Sequence, residues 1–243
     1  TLPFSYVIGE GRETHIVPGR SIATVGLYRD INKWPRRDVR IKGSRKSIIN
    51  YEWLSPLTVN EVVKGHQLLA NMRQNADQKT AFCTADGNIL NINALEKGLK
   101  LYSLAIEMYL GEAVERHQEG SLPAASGAGE WCDLGGLLMP VEEEERLVEK
   151  IRYGMIDGLG SVFRMLEAYN ERYADYQWTF ALSLMKQQLG KDELTDDDLA
   201  YCRERGKAAR EAWLGMIRED AEKEHSLGDV DRATLDKFLA QLG

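Results

Sequence analysis

The sequence contains few cysteine, histidine and proline residues, and it has no long apolar run. Only three cysteines occur in 243 residues, Cys83, Cys132 and Cys202, and no two of them form a C-x-x-C pair. An odd number of widely separated thiols argues against a disulfide framework and against a structural zinc site. We therefore expect reduced thiols, a cytoplasmic location, and no bound metal or other cofactor.

No stretch of about 18 apolar residues is present, and no basic start followed by an apolar run resembles a signal peptide. These absences predict no contact with a membrane. The formal net charge is −7, with 28% charged and 43% hydrophobic residues. An acidic chain is a poor general binder of nucleic acid, so we do not expect nucleic acid as a partner.

The sequence also lacks the common catalytic motifs, including G-x-S-x-G, H-E-x-x-H and G-x-G-x-x-G. Glu222 and His225 have the i, i+3 spacing of a di-metal bundle, but a second copy of this motif is missing. A solvated helix face is the simpler interpretation. His15 is a candidate general base without a visible partner. The sequence therefore identifies no catalytic residue, and whether the protein is an enzyme stays open.

Two regions of different character are visible along the chain. Residues 1–50 show short β-type runs, such as "FSYVI", "THIV" and "ATVGLY", separated by glycine and proline. Residues 51–243 carry helix-start signals followed by apolar residues at helical spacing; the signals are Ser55-Pro56, Thr58-x-x-Glu61, Asn93-x-x-Glu96 and Thr195-x-x-Asp198. We predict a mainly α protein, with a bundle of about six helices preceded by a short irregular or β strap.

Two further segments bear on this prediction. "EWCDLGGLLMP" is interpreted as a tight loop between helices, and Asp86-Gly87 as a turn in a longer loop. From Leu159 to Gly190, apolar and aromatic residues follow one continuous helical pattern. Its aromatic members, Tyr169, Tyr173, Tyr176 and Phe180, are expected in the bundle core, although they could also line a pocket.

The segment "RDINKWPRRDVR", residues 29–40, is electrostatically unlike the rest of the chain. Residues 29–46 contain eight Lys and Arg against Asp30 and Asp38, a local balance of +6, so the remainder carries −13. Arginine forks bind phosphate oxygens, and a Trp face stacks on a base or sugar. We predict an anion- or phosphate-binding site formed by Arg29, Trp34, Arg36, Arg37 and Arg40. The alternative is that these residues form ion pairs with acidic faces of the helical bundle.

Several segments together resemble a family of uncharacterised bacterial proteins from Bacteroides and relatives. They are "LYRDINKWPRRDVR", "SPLTVNEVVKGHQLL", "NINALEKGLKLYSLAIEMYLGE", "EWCDLGGLLMP" and "YADYQWTFALSLM". In that family, a left-handed β-helix of hexapeptide repeats, similar to those of sugar-nucleotidyltransferases and acyltransferases, precedes a helical part. The resemblance implies that this chain corresponds to the helical part, with residues 1–50 as the strap that leaves the β-helix.

Two functions from different classes follow. The first is an accessory helical domain of a β-helix transferase-like protein, which would contribute phosphate contacts to a site for a nucleotide sugar or another phosphorylated small molecule. The second is a non-catalytic oligomerisation or scaffold module, suggested by the long amphipathic helices. A homo-oligomer is expected with either function.

Overall fold

The structure is a computed structural model that describes residues 2–38, 47–76, 82–117 and 126–242. Within these ranges the chain is mainly α-helical, as predicted. The helices are α1 (Val25–Arg37), α2 (Pro56–Asn75), α3 (Ile92–Arg116), α4 (Val141–Arg152), α5 (Leu159–Glu171), α6 (Tyr173–Leu189), α7 (Asp196–Ser226) and α8 (Arg232–Leu242). The strands are β1 (Tyr6–Glu10), β2 (Glu13–Val17), β3 (Phe82–Ala85), β4 (Asn88–Asn91), β5 (Trp131–Leu134) and β6 (Leu137–Pro140).

Contacts between residues divide the chain into two units. The first unit contains residues 1–33, 61–108 and 205–243, and the second contains residues 34–60 and 109–204. The predicted domain boundary after residue 50 is not tested by these units and stays a prediction. None of the described helices combines the length and the apolar character needed to cross a membrane.

A four-stranded sheet belongs to the first unit, with the strand order β1-β2-β4-β3. β1 and β2 are antiparallel, β2 pairs with β4 in parallel at His15 and Ile89, and β3 and β4 form an antiparallel hairpin. Asp86 and Gly87 turn this hairpin with φ angles of 51° and 80°, which suits the left-handed turn that two-residue hairpins favour. The predicted turn is confirmed, but the segment around it forms two strands rather than a loop.

The N-terminal segment contains a helix that was not predicted, Val25–Arg37. The expectation that "ATVGLY" forms a β-type run is wrong. Thr24 lies at the start of the helix, where its hydroxyl accepts a hydrogen bond from the Leu27 N–H at 3.4 Å. The Asp220 carboxylate of α7 accepts a second one from the Val25 N–H at 3.0 Å. This second cap comes from almost 200 residues away, so local sequence does not show it.

The core of the first unit forms around aromatic side chains that are tied to the backbone. The Trp213 indole donates to the Ile22 carbonyl at 2.8 Å, and the Tyr102 hydroxyl donates to the Pro3 carbonyl at 2.6 Å. Tyr28 packs against the rings of Trp213 and Phe238 at centroid distances of 5.6 and 5.7 Å. Burial raises the pKa of Tyr102 well above its ordinary value. These contacts attach the N-terminal segment to the long helices.

The second unit has an aromatic core, as the sequence predicts. Trp131 meets Tyr173 and Phe180 edge to face, and Tyr109 meets Phe180 in the same way. Such contacts add favourable ring electrostatics to the burial of a large apolar area. Trp131 belongs to the β5–β6 hairpin, so the interpretation of "EWCDLGGLLMP" as a tight helix-packing loop is wrong. All four residues of β6 are buried, which removes the alternating pattern by which a strand is recognised.

The continuous helix predicted from Leu159 to Gly190 is two helices. The described residues after position 50 therefore contain seven helices, where about six were predicted. The break falls at Arg172, whose backbone angles are φ −96° and ψ 5° and whose N–H bonds the Tyr169 carbonyl three residues back. Its guanidinium lies 5.3 Å from the centroid of the Tyr176 ring. The aromatic spacing runs through the break, because both helices present aromatic residues to the same core.

Two of the predicted helix starts are capping boxes. At α7, the Thr195 hydroxyl accepts from the Asp198 N–H at 3.3 Å, and the Asp198 carboxylate accepts from the Thr195 N–H at 3.0 Å. At α2, Ser55 and Thr58 exchange the same bonds, so the box predicted for Thr58 and Glu61 lies three residues too late. Glu61 instead forms an ion pair with Lys64.

Gly127 lies directly against the backbone of α6 at Tyr176. A Cβ at this position would lie 1.9 Å from the Tyr176 carbonyl oxygen. The Gly127 N–H donates to the Thr179 hydroxyl at 2.6 Å, and its carbonyl accepts from the Trp131 indole at 2.8 Å. Only a residue without a side chain fits between α6 and the β5 strand here.

We expect Gly127→Ala to destabilise the protein by about 2–4 kcal/mol, because the new methyl group forces apart a backbone contact that cannot relax cheaply. The matched control is Gly215→Ala in α7, where a Cβ meets nothing within 4 Å. This control should be neutral or slightly stabilising, because alanine is the better helix former. Urea unfolding monitored by circular dichroism measures both; equal stability of the two variants would contradict the proposed role of Gly127.

The Asp198 cap predicts a pH dependence. Hydrogen bonds from Lys191 and Thr195 lower its pKa from 3.8 to about 2. Because the folded pKa is below the unfolded one, the stabilisation is fully present above about pH 4 and is lost as the pH falls through about 2. Asp198→Asn should therefore be less stable than the parent at pH 6, and the difference in unfolding free energy should vanish toward pH 2. Asp192→Asn, at an exposed site before α7, should show no such trend.

Candidate functional site

The predicted basic residues lie on α1 and are exposed. Trp34 is 51% exposed, and the Arg37 guanidinium lies 5.6 Å from the centroid of its ring. Arg29 and Arg36 are exposed as well. Among the residues that the structure describes, no carboxylate lies within 4 Å of any of these three arginines. Arg40 is outside the described residues, together with Lys42, Arg45 and Lys46, so the predicted phosphate site stays a prediction.

The two aspartates of the basic segment differ in their surroundings. Asp38 is buried and accepts hydrogen bonds from the Tyr51 hydroxyl at 2.9 Å and the Ser47 hydroxyl at 3.3 Å. Asp30 lies 3.8 Å from Lys33 on the surface of the same helix. The alternative interpretation, in which the arginines pair with acidic faces of the bundle, is therefore without support for Arg29, Arg36 and Arg37 in the described part of the chain.

A second group of positive charges lies in a cleft of the first unit with a volume of about 490 Å³. We call it the cationic cleft. It forms where the residues after β2 meet α3 and α7. Four apolar side chains line it, Val17, Pro18, Leu101 and Met216, together with Ala23 and six charged ones, Arg20, Lys97, Lys100, Lys223, Glu219 and Asp220. Four cations therefore face two carboxylates.

Arg20 is held in place within the cationic cleft. Its guanidinium donates to the Asp220 carboxylate at 3.0 Å and to the Ala23 carbonyl at 3.0 Å. Asp220 is the same carboxylate that caps α1 at Val25. One acid of the cleft is thus occupied by two donors, and it neutralises only one of the four cations.

The three lysines of the cationic cleft have no ion-pair partner within the ranges that the structure describes. Lys97 and Lys100 stand three residues apart, on one face of α3, and Lys223 belongs to α7. All three are exposed, and none lies within 4 Å of a carboxylate in the part of the chain that the structure describes. Gly98 lies between the two lysines of α3, and its missing Cβ allows Pro18 to approach, because a Cβ would be 2.7 Å from that ring.

Sequence reasoning missed the cationic cleft. Its cations come from positions 20, 97, 100 and 223, and no window of the sequence holds more than two of them. The i, i+3 spacing of Lys97 and Lys100 is the local signal that was available. That spacing is common on solvated helix faces, so it would not have distinguished a site by itself.

A second cavity, of about 290 Å³, belongs to the second unit and includes Tyr109, Arg116, His117, Gln177 and Trp178 among its lining residues. The His117 and Trp178 rings are stacked, with centroids 3.9 Å apart and an interplanar angle of 8°. Arg116 joins two carboxylates, Glu52 at 2.9 Å and Glu112 at 3.0 Å.

Glu52 is the centre of the hydrogen bonds beside this second cavity. It accepts from the Tyr173 hydroxyl at 3.1 Å and from the Gln177 amide, in addition to Arg116. Burial, reinforced by the nearby Glu52 charge, raises the pKa of both Tyr109 and Tyr173. These tyrosines are therefore neutral hydrogen-bond donors, and the arrangement stabilises the core rather than presenting a reactive group.

The histidines and thiols are placed as structural groups. His66 bonds with the Ser103 hydroxyl at 3.1 Å, and burial lowers its pKa. His225 lies 2.7 Å from the Val230 carbonyl, and His15 lies 3.7 Å from Glu13. Burial raises the pKa of Cys132 and Cys202, which is opposite to activation of a thiolate. Within the described ranges, no three His, Cys, Asp or Glu side chains are grouped as metal ligands would be.

Comparison with known proteins gives two matches, both to families without an assigned activity. Residues 1–73 match a family described as a domain of unknown function, DUF4954, and residues 115–230 match a second such family, DUF6819. No curated protein and no solved structure matches the chain. The resemblance inferred from the sequence is therefore confirmed as a similarity to uncharacterised domains, and the preceding β-helix and the Bacteroides source have no support from these matches.

Proposed function

We propose that this chain is a helical domain that binds a phosphate-bearing small molecule in the cationic cleft. The observation that carries the proposal is the set of three lysines, Lys97, Lys100 and Lys223, which lie without described carboxylate partners around one apolar-walled cleft. The chain as a whole is acidic, with a net charge of −7. A local excess of positive charge in such a chain costs repulsion among the cations, and a bound anion relieves it.

The chemistry of the lysines suits phosphate. An ammonium group is a compact, mobile donor that binds phosphate as a point charge, whereas the guanidinium of Arg20 is already committed to Asp220. Two lysines on adjacent turns of α3 and a third on α7 approach the cleft from two helices. Their long side chains reach a bound anion without a change in the backbone.

The size and walls of the cationic cleft suit more than a bare anion. Sites for small molecules usually have volumes of about 300–1,000 Å³ and mainly apolar walls with a few polar groups. The cleft of about 490 Å³ lies in this range, and Val17, Pro18, Leu101 and Met216 provide apolar surface beside the charges. A nucleotide sugar, which combines phosphates with flat and hydroxylated rings, fits these walls better than inorganic phosphate does.

We infer further that the domain acts as the accessory part of a transferase-like protein with a left-handed β-helix. The support for this inference is the sequence resemblance alone, since the matched families carry no activity. The cationic cleft would then contribute phosphate contacts to a sugar-nucleotide site, and the exposed Arg36 and Arg37 of α1 are the second candidate for the same role.

We expect UDP- or GDP-sugars to bind the full chain in isothermal titration calorimetry at low salt, and Lys97→Ala/Lys100→Ala to weaken binding about 10- to 100-fold. Each hydrogen bond from an exposed lysine to a phosphate contributes roughly 0.7–1.4 kcal/mol, and the double variant removes two of them. The affinity should also fall as salt is raised, because the lysines are exposed and their attraction is screened.

The matched control is Arg36→Ala/Arg37→Ala, which removes the same number of charges from the predicted site on α1. It should bind as the parent does. If this variant loses binding and the lysine variant does not, the site lies on α1 and the cationic cleft is not the binding site. If the parent protein gives no heat with either nucleotide sugar or with inorganic phosphate, the proposed function is wrong.

A further inference from the structure

A cluster of large apolar side chains is exposed where α4 ends and α5 begins. Its members all lie within residues 148–163 of the second unit: Val148 (40% exposed), Ile151 (49%), Tyr153 (72%), Met155 (75%), Leu159 (77%) and Phe163 (59%). We call this surface the apolar corner. It goes beyond the proposed ligand binding, since the cationic cleft belongs to the other unit.

The exposed areas of the six side chains of the apolar corner sum to nearly what one partner contributes to a protein interface. A fully exposed large apolar residue presents on the order of 200 Å², so the six together present roughly 700 Å² at exposed fractions of 40% to 77%. The largest apolar patch of a monomer usually measures about 300–600 Å². Each partner in a standard interface contributes about 800 Å². Exposure of this much apolar surface to water is unfavourable, and association with a partner removes the cost.

The backbone of the apolar corner is fixed by local hydrogen bonds. The Met155 N–H bonds the Lys150 carbonyl at 2.9 Å and the Gly154 N–H bonds the Ile151 carbonyl at 3.1 Å, with Gly154 at φ +66°. These bonds form a Schellman motif at the end of α4. At the start of α5, the Asp157 carboxylate accepts from the Ser161 hydroxyl at 2.7 Å. The exposed side chains therefore stand on an ordered turn, which lowers the entropy lost on binding.

The charges of the apolar corner are balanced, so a second copy is not repelled. Residues 148–164 carry Glu149 and Asp157 against Lys150, Arg152 and Arg164, which is close to neutral in a chain of net charge −7. A partner surface with many charges of one sign would gain little electrostatic attraction here. When two copies of this nearly neutral surface meet, repulsion between like charges is small.

The distribution of charge along α4 also suits pairing with itself. Acidic residues occupy its first turn and basic residues its last. Glu145, Val148 and Arg152 share one face, being three and then four residues apart. When two copies of α4 cross antiparallel at Val148, Glu145 of one copy faces Arg152 of the other, and two-fold symmetry makes this pair twice. Neither residue has a carboxylate or cation within 4 Å in the described part of the chain.

We propose that the apolar corner is a homodimer interface, in which two copies of this chain pair through antiparallel α4 helices and bury Met155, Leu159 and Phe163 against the partner copy. The sequence left open an oligomerisation module; the structure assigns its surface and its symmetry.

Sedimentation equilibrium of the full chain over a concentration series tests the dimer. The parent should fit a monomer–dimer equilibrium, and Leu159→Asp should raise the dissociation constant at least tenfold or so, because a central apolar contact becomes a desolvated charge. The matched control is Leu227→Asp, at a leucine of the first unit that is 68% exposed; it should dimerise as the parent does. A monomer at every concentration would overturn the proposal, also when that monomer binds phospholipid vesicles in a separate co-sedimentation experiment. An equal effect of the two variants on the dissociation constant would overturn it as well.

A charge exchange tests the antiparallel arrangement without disturbing the apolar contacts. Glu145→Arg and Arg152→Glu should each weaken the dimer about threefold to tenfold, since like charges then face each other at the rim. The double variant Glu145→Arg/Arg152→Glu should restore the parent dissociation constant. Additive weakening in the double variant would reject the antiparallel pairing of α4.

Discussion

The carboxylate of Asp220 is the interaction on which the described arrangement of the first unit most depends. From the last third of α7 it accepts hydrogen bonds from the Arg20 guanidinium and from the Val25 N–H, both at 3.0 Å. The first contact ties the segment after β2 to α7, and the second satisfies a donor that the start of α1 leaves without a partner. Because this acid already binds Arg20, only Glu219 remains opposite the three lysines among the described residues that line the cationic cleft. The Asp220 side chain thus attaches the N-terminal strap to α7, and because it is occupied in this way, the cationic cleft keeps an excess of positive charge.

Those parts of the fold that depend on neighbours in the sequence were predictable. The Thr195–Asp198 capping box, the turn at Asp86 and the aromatic core of the second unit each follow from residues a few positions apart. The failures have a common physical cause. The cap of α1 by Asp220 comes from a distant helix, the buried β6 strand shows no alternation, and the break at Arg172 lies inside an uninterrupted aromatic pattern. Tertiary contacts decide each of these, and local pattern does not contain them.

The candidate site divides in the same way. A basic run within residues 29–46 is visible in the sequence, because charges close along the chain are counted together. The cationic cleft is not visible, because Arg20, Lys97 and Lys223 come together only in the folded first unit. Linear charge density therefore detects exposed stripes such as that of α1. Whether cations share an apolar-walled space, which determines the strength of their field, is a property of the fold.

The cationic cleft and the apolar corner rest on different physical forces, so the two inferences are independent. The proposed binding in the cleft would relieve repulsion between lysines, and it would weaken as salt screens their charge. The proposed association through the corner would remove apolar surface from water, and salt would change only the proposed rim pairs of Glu145 and Arg152. The proposed dimer would carry two clefts, so a ligand or carrier with two phosphate groups at a suitable distance would gain affinity by binding both, without any new contact. Pairing would then strengthen binding only for such divalent partners, while the affinity of each single cleft stays that of the monomer.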